Sequence, residues 1–378
     1  MVSKLYINLV PIVSGGGLQN AINFLLNLDL DKLNFNKTIV IIRNNAVLQK
    51  ICNDNSYEYI VIDNTFFARL KYEIFFFMDK KSSMIFTLFG TKPIISWGSK
   101  TITGCAYSNL FYPKIDFWEY LSPLKKSIKR LKDFYRYQNV MSSDVIIFET
   151  ELLTKKAVEE FSFSKEDSYT VKMSVSSIVK KGEKFIDFNI QKNRFNILYL
   201  GSAHPNKRQH LLPKIVKSMI EDGLNNFCFL LTMDEKNNYT KELLNSISKM
   251  HLESYIVNLG PVDNYKVANL IEQSDAIINI AKLESFSNNF VEAWQMERVL
   301  FVTDDEWAKD SCGDGAVYLD IYNHTSIALS IKNTMESKEF YSSTVKRGIA
   351  QLNSYPNPRE KILQFVNIIN NYSMVRRE

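Results

Sequence analysis

The sequence predicts an α/β protein made of two doubly wound, Rossmann-like units. Short apolar runs alternate with helical patterns in both halves, and no internal repeat interrupts them. A length of 378 residues suits two domains of about 150 to 190 residues better than one core.

In the first half, Leu5 to Val10 reads as a strand running into Pro11-Ile-Val-Ser-Gly-Gly-Gly17, and Leu18, Ile22, Leu25 and Leu26 then recur at helical spacing. A strand, a glycine turn and a helix begin a nucleotide-binding unit, and Gly15, Gly16 and Gly17 would let backbone approach a ligand closely, although a plain tight turn needs them equally. The pattern G-x-G-x-x-G is absent, because position 20 is Asn and no glycine follows, so a nicotinamide dinucleotide is not expected. Further strands are expected at Thr38 to Ile42, Tyr57 to Ile62, Met84 to Leu88, Ile94 to Trp97, Ile102 to Ala106 and Asp144 to Glu149, with helices at Val47 to Ile51 and Phe66 to Phe77. Thr150 and Glu151 suit the cap of a helix from Leu152 to Phe161. Between them Tyr107, Phe111, Tyr112, Phe117, Trp118 and Tyr120 precede a helical stretch rich in lysine and arginine. Such a cluster suits either core packing with one solvated helix face or a seat on an anionic membrane surface.

The polar segment 179–194 reads as a connector between an N-terminal domain, 1–178, and a second domain, 195–355. Residues 356–378 are expected as a terminal helix that packs back on the first domain. The second domain opens with the strand Phe195 to Leu200. At its carboxyl end stands Gly201-Ser-Ala-His-Pro-Asn-Lys-Arg-Gln209, whose adjacent cations Lys207 and Arg208 before a helix suit a diphosphate, or else a solvated basic loop. Phe227 to Thr232, Ile256 to Leu259, Asp275 to Ile280 and Arg298 to Thr303 read as buried strands. Between the last two lies Glu284-Ser-Phe-Ser-Asn-Asn-Phe-Val-Glu292, a loop entering a helix near Asn289. Its two carboxylates can accept hydrogen bonds from sugar hydroxyls, while the helix start favours an anion. Asn289 with Glu292 also fits a capping box that needs no ligand.

Composition narrows the function. A net charge of +5 with no basic run interleaved with regular aromatics gives no case for nucleic acid. Cys52, Cys105, Cys228 and Cys312 form no C-x-x-C pair, which suggests neither a zinc site nor a disulfide framework and suits a reducing cytoplasm. No signal peptide and no run of 18 apolar residues is read, so work at a membrane would be done on its surface.

A glutamate, seven residues and a glutamate entering a helix late in the chain resembles the signature of retaining glycosyltransferases of family four, here of the bacterial surface-polysaccharide type. The resemblance implies the GT-B fold, two Rossmann-like domains facing across a cleft, and a metal-independent transfer from a nucleotide diphosphate sugar. A UDP-sugar is expected before a GDP-sugar, although no residue names the base. The acceptor implied is a hydroxyl of a glycan or lipid-linked oligosaccharide, reached in the cytoplasm or at the inner face of the cell membrane. By the same resemblance Glu284 would hold hydroxyls of the transferred sugar and Glu292 the ribose. Ser285, Phe286, Ser287 and Asn288 would line the sugar and phosphates, Lys207 and Arg208 would meet the diphosphate, and Gly15 to Gly17, Thr150 and Gly201 would complete the donor site. Two departures stand out. Ser202 occupies a position where the family often has arginine, and the histidine common in the first domain is missing, since His204, His210, His251 and His324 all lie in the second half. The second departure leaves room for a non-catalytic sugar-binding subunit. A glycoside hydrolase also needs two carboxylates but would have no use for the cationic loop.

Overall fold

The computed structural model describes residues 4–78, 83–96, 98–177, 179 and 186–374. Contacts divide the chain into two units, Met1–Ser174 with Pro356–Glu378, and Val175–Tyr355.

The first unit contains β1 (Lys4–Asn8), α1 (Gly15–Asn27), β2 (Lys37–Arg43), α2 (Ala46–Asp54), β3 (Tyr59–Ile62), α3 (Phe66–Met78), β4 (Ser83–Thr87), β5 (Lys100–Cys105), α4 (Pro123–Met141), β6 (Val145–Phe148), α5 (Glu151–Phe161) and β7 (Ser168–Thr170). The second contains β8 (Phe195–Tyr199), α6 (Leu212–Glu221), β9 (Phe227–Leu231), α7 (Asn238–Lys249), β10 (Ile256–Asn258), α8 (Val267–Glu272), β11 (Ala276–Asn279), α9 (Asn288–Gln295), β12 (Val299–Thr303), α10 (Glu306–Cys312), β13 (Val317–Leu319), α11 (His324–Glu336) and α12 (Lys338–Leu352). The last helix, α13 (Pro358–Met374), belongs to the first unit.

Among the described residues the first sheet has seven parallel strands in the order β3-β2-β1-β4-β5-β6-β7, and the second has six in the order β10-β9-β8-β11-β12-β13. In each, the chain turns back beside its first strand, between β1 and β4 and between β8 and β11. Loops leaving these neighbouring strands diverge, so a crevice opens at the carboxyl ends of the strands. Strands covered on both faces read as unbroken apolar runs, and β9 (FCFLL) and β12 (VLFVT) are buried throughout. Right-handed crossovers put α1 and α2 on one face of the first sheet and α3, α4 and α5 on the other. The α13 helix joins the α1 face, where Phe365 meets Phe24 and Phe86 at ring distances of 6.0 and 5.5 Å.

Several expectations are corrected. Residues 94–96 form no strand, because the backbone N–H groups of Ile94 and Ile95 donate to the Glu73 carboxylate at 2.8 and 3.2 Å; Trp97 lies outside the described residues. Positions 180–185 of the expected connector also lie outside them, whereas Ile186 and Phe188 are hydrogen-bonded to Asn269 and Gln273 around α8. Much of the aromatic cluster after β5 is core: Phe111 and Tyr112 are buried, and Phe111 packs at 5.2 Å on both Phe148 and Phe161.

Burial raises the thiols of all four free cysteines. It pushes the thiols of Cys52 and Cys228 up to about 11, that of Cys105 up to about 12 and that of Cys312 well above its ordinary 9.0. Each acid therefore ionises in the unfolded chain before it does in the folded one, so its contribution is whole below pH 9 and is lost as pH climbs toward the folded values. Lys361 acts in the opposite direction. Its burial lowers the amine to about 8 against the pull of Glu149, so the unfolded chain binds the extra proton and stability gains between pH 8 and 10.5. Four thiols outweigh one amine, and the urea midpoint is expected to fall between pH 9 and 10.5; a midpoint that rises across this window contradicts the burial of the thiols.

Candidate active site

The loops that follow β8 and β11 meet in the second unit at its topological switch point. After β8 the chain makes a tight turn, Pro205–Lys207, capped by His204, whose Nδ1 accepts from the Asn206 N–H at 3.1 Å. Arg208 then takes a left-handed conformation at φ 57°, ψ 24°, which reverses the backbone before Gln209–Leu211 leads into α6. A left-handed residue with a side chain costs roughly 1 to 2 kcal/mol, so the arginine sits there at the expense of stability.

Three bonds hold this turn to the loop after β11. Asn206 donates through Nδ2 to Leu283 O at 2.8 Å, Lys282 N donates to Asn206 O at 2.7 Å, and the Lys207 ammonium forms an ion pair with Glu284 Oε1. The same carboxylate oxygen accepts from Asn279 Nδ2 at 3.2 Å, at the end of β11. Glu284 is thus fixed from both strands, with its side chain 10% exposed and that of Lys207 23% exposed. Beneath them the Tyr199 hydroxyl donates to Lys207 O. Burial and the nearby Glu284 charge push that phenol well above its usual range, with Arg208 opposing, which puts Tyr199 in the field of both charged groups.

Arg208, at 9% exposure, leaves Nη1 buried with no hydrogen-bond partner in the protein, and Asn206 Oδ1 and Gln209 Oε1 are buried in the same condition. Buried polar groups are almost always paired, so three orphans within residues 206–209 mark a place built for a polar ligand. The α9 helix begins beside this loop. Its N-cap is Ser287, which makes no side-chain cap bond, and the expected capping box at Asn289 is not formed: Asn289 lies inside the helix and donates through Nδ2 to Leu200 O at 2.8 Å. That bond ties the α9 start to the β8 end. Ser285 and Ser287 are buried, Asn288 opens the helix, and Phe286 packs its ring on Phe290 and Tyr355 at 5.4 and 5.5 Å. Glu292 is 2% exposed on the inner side of α9. Gly201 closes the β8 end, its N–H donating to Thr232 Oγ1 at 3.0 Å.

The structure therefore brings Lys207, Arg208, Gly201, Glu284 and the α9 start together within one unit. Two adjacent cations, one with an unpartnered donor at Nη1, and a helix N-terminus suit a diphosphate, while a carboxylate and the unpartnered amide oxygens of Asn206 and Gln209 suit hydroxyl groups. Asn206 and Asn279, which brace this arrangement together with Asn289, carry no signal in the sequence beyond an asparagine in a loop and one at a strand end. Gly15, Gly16, Gly17 and Thr150 belong to the other unit. The three glycines form the first turn of α1 rather than a loop before it, with Gly15 at φ 61°, and Thr150 caps α5 by accepting from Leu153 N at 3.2 Å. Ser108 is buried, and Asn109 is engaged by Asp133 at 2.9 Å.

Two Rossmann-like units, each with a parallel sheet, are the architecture of GT-B glycosyltransferase structures. HepE of Anabaena, solved with UDP and glucose, is similar over 98% of this chain and 100% of its own at a TM-score of 0.73 and 13% identity. A glycosyltransferase from Rickettsia africae is similar over 99% of both chains with a TM-score of 0.72 and 13% identity. Sucrose-phosphate synthase of Thermosynechococcus elongatus reaches a TM-score of 0.69 at 9% identity over 98% of this chain and 99% of its own. Residues 180–351, most of the second unit, match the family model described as Glycosyl transferases group 1, and that segment holds the whole Lys207–Glu284 constellation. No curated protein sequence matches the chain.

Proposed function

We propose that the protein is a metal-independent retaining glycosyltransferase that moves a sugar from a nucleotide diphosphate sugar, a UDP-sugar first among them, to a hydroxyl of a growing lipid-linked bacterial surface glycan of O-antigen or capsule type, working in the cytoplasm or against the inner face of the membrane. One observation carries this reading: the ion-paired Lys207 and Glu284 stand with Arg208, whose buried Nη1 has no hydrogen-bond partner, at the switch point of the group 1 segment.

In the reaction the bond from the anomeric carbon to the β-phosphate oxygen breaks, and its electron pair leaves with the nucleoside diphosphate. Lys207, Arg208 and the N–H groups at the start of α9 stabilise charge that grows on that phosphate, and so act more strongly in the transition state than on the bound donor. The acceptor oxygen bonds to the same carbon from the face the phosphate leaves, and its proton passes to the departing phosphate oxygen. Glu284, held by Lys207 and Asn279, would grip hydroxyls of the transferred sugar, while Glu292 would take the ribose. A non-catalytic sugar-binding subunit is the second reading, favoured by the lack of histidine in the first unit.

Thermal denaturation with a panel of UDP-, GDP- and ADP-sugars tests the proposal. A UDP-sugar at about 100 times its dissociation constant is expected to add about 2.7 kcal/mol of stability. No shift with any nucleotide contradicts the donor site, and a shift without sugar transfer to any acceptor favours the binding subunit.

A further inference from the structure

We propose that α3 and α4 together form a face that seats the protein on an anionic phospholipid bilayer. The aromatics before α4 are largely packed inward or engaged: Trp118 Nε1 donates to Asp133 at 2.6 Å and carries Lys129 over its ring at 4.8 Å. The exposed apolar surface lies instead on the helices. On α4, Leu124, Ile128, Leu131 and Tyr135 follow one another at steps of four, three and four residues and so form one stripe, and all are exposed. On α3, Phe67, Leu70, Ile74 and Met78 repeat at steps of three, four and four and are exposed as well. Phe66, Phe67, Met78, Leu124 and Leu131 each leave 70–79% of their surface in solvent, which is where such side chains gain nothing unless something covers them.

The two helices share one face of the first sheet, since right-handed crossovers send β3 to β4 and β5 to β6 over the same side. They are also neighbours. Glu73 and Tyr72 of α3 both feel Tyr135 of α4. Charge selects the occupant: α4 carries six basic residues against one acid, Asp133, with Lys125, Arg130 and Lys132 exposed along the stripe. Apolar side chains flanked by cations suit the headgroup region of an anionic leaflet, where the side chains enter the acyl boundary and the amines meet phosphates. No helix among the described residues is long and apolar enough to cross a membrane. The proposal deepens the reading of a lipid-linked acceptor, but the surface itself needs no donor.

The test is flotation of the whole chain with vesicles of phosphatidylcholine alone or with roughly a third phosphatidylglycerol. The protein is expected to float with the anionic vesicles, at least about tenfold more than with the neutral ones, and to be released by salt. Ile128→Ser with Leu131→Ser, Phe67→Ser with Ile74→Ser, and Lys125→Glu with Lys132→Glu should each lower binding about tenfold or more while thermal melting and the donor-induced shift stay unchanged. Retained flotation in all three variants, or none by the unaltered protein, overturns the proposal. So does an unaltered protein that dimerises through this face, becomes monomeric in Ile128→Ser with Leu131→Ser and ignores vesicles. Loss of the donor shift in the unaltered protein with flotation intact would instead strike the glycosyltransferase reading and leave this one standing.

Discussion

Replacing Glu284 by alanine is expected to lower sugar transfer by about a thousandfold or more and to leave the fold intact. The carboxylate is held by Lys207 and by Asn279 Nδ2 at 3.2 Å, a geometry that fixes its direction in advance of any substrate. Removing a group preorganised against the reacting sugar costs the transition state several kcal/mol, of the order measured when single oxyanion-hole donors are deleted. The cost to stability is smaller. The pair is partly screened, so its loss should amount to about 1 to 2 kcal/mol, between the values for exposed and buried pairs. Glu284→Gln keeps the acceptor oxygen but not the charge that orients Lys207, and should fall between. Initial rates of transfer, read beside thermal melts, check this; unchanged turnover in Glu284→Ala removes the carboxylate from the mechanism.

Arg208→Gly is expected to move stability and activity in opposite directions. The residue sits at φ 57°, where glycine pays nothing and a side chain costs about 1 to 2 kcal/mol, and its Nη1 is buried without a partner. Glycine relieves both and should raise stability by about 1 kcal/mol. On the proposed mechanism transfer should fall about a hundredfold, because one of the two cations assigned to the leaving diphosphate is gone. Lys207→Ala should lose activity to a similar degree but, by freeing Glu284, lose stability too. A structural role for Arg208 predicts the reverse for glycine, with lower stability and untouched rates, so urea titration and kinetics on the same variant separate the two.

The sheet strands were legible because they are buried on both faces: the runs at 195–200, 275–280 and 298–303 all lie on strands observed within a residue or two. The Glu284 and Lys207 loops were legible for a related reason, since each follows such a run and precedes an apolar helix. Polar helices were harder to read. The α7 and α12 helices carry many charged or hydroxyl side chains, and α12 holds Gly348 at mid-length, where the Trp294 ring would lie 2.6 Å from an added Cβ. That glycine is required by close packing of α12 on α9, a long-range fact with no local trace. No strand forms at 94–96 for a similar reason, because a distant carboxylate, Glu73, claims the N–H groups of Ile94 and Ile95. The orphaned atoms of Asn206, Arg208 and Gln209 exist only once the loop is folded, so the strongest sign of a ligand in the second unit had no counterpart in sequence. The glycine run reads from the sequence as a turn before the helix, tight or ligand-facing, whereas Gly15 to Gly17 form the first turn of α1 itself.

Whether the turn after β8 and the loop after β11 grip a nucleoside diphosphate between them can be seen in a crystal of the chain soaked with UDP-glucose. The pyrophosphate is expected at the start of α9, with oxygens about 3 Å from Lys207 Nζ and the Arg208 guanidinium and the glucose against Glu284. A nucleotide bound elsewhere on the chain, with Arg208 Nη1 still unpartnered, would contradict it.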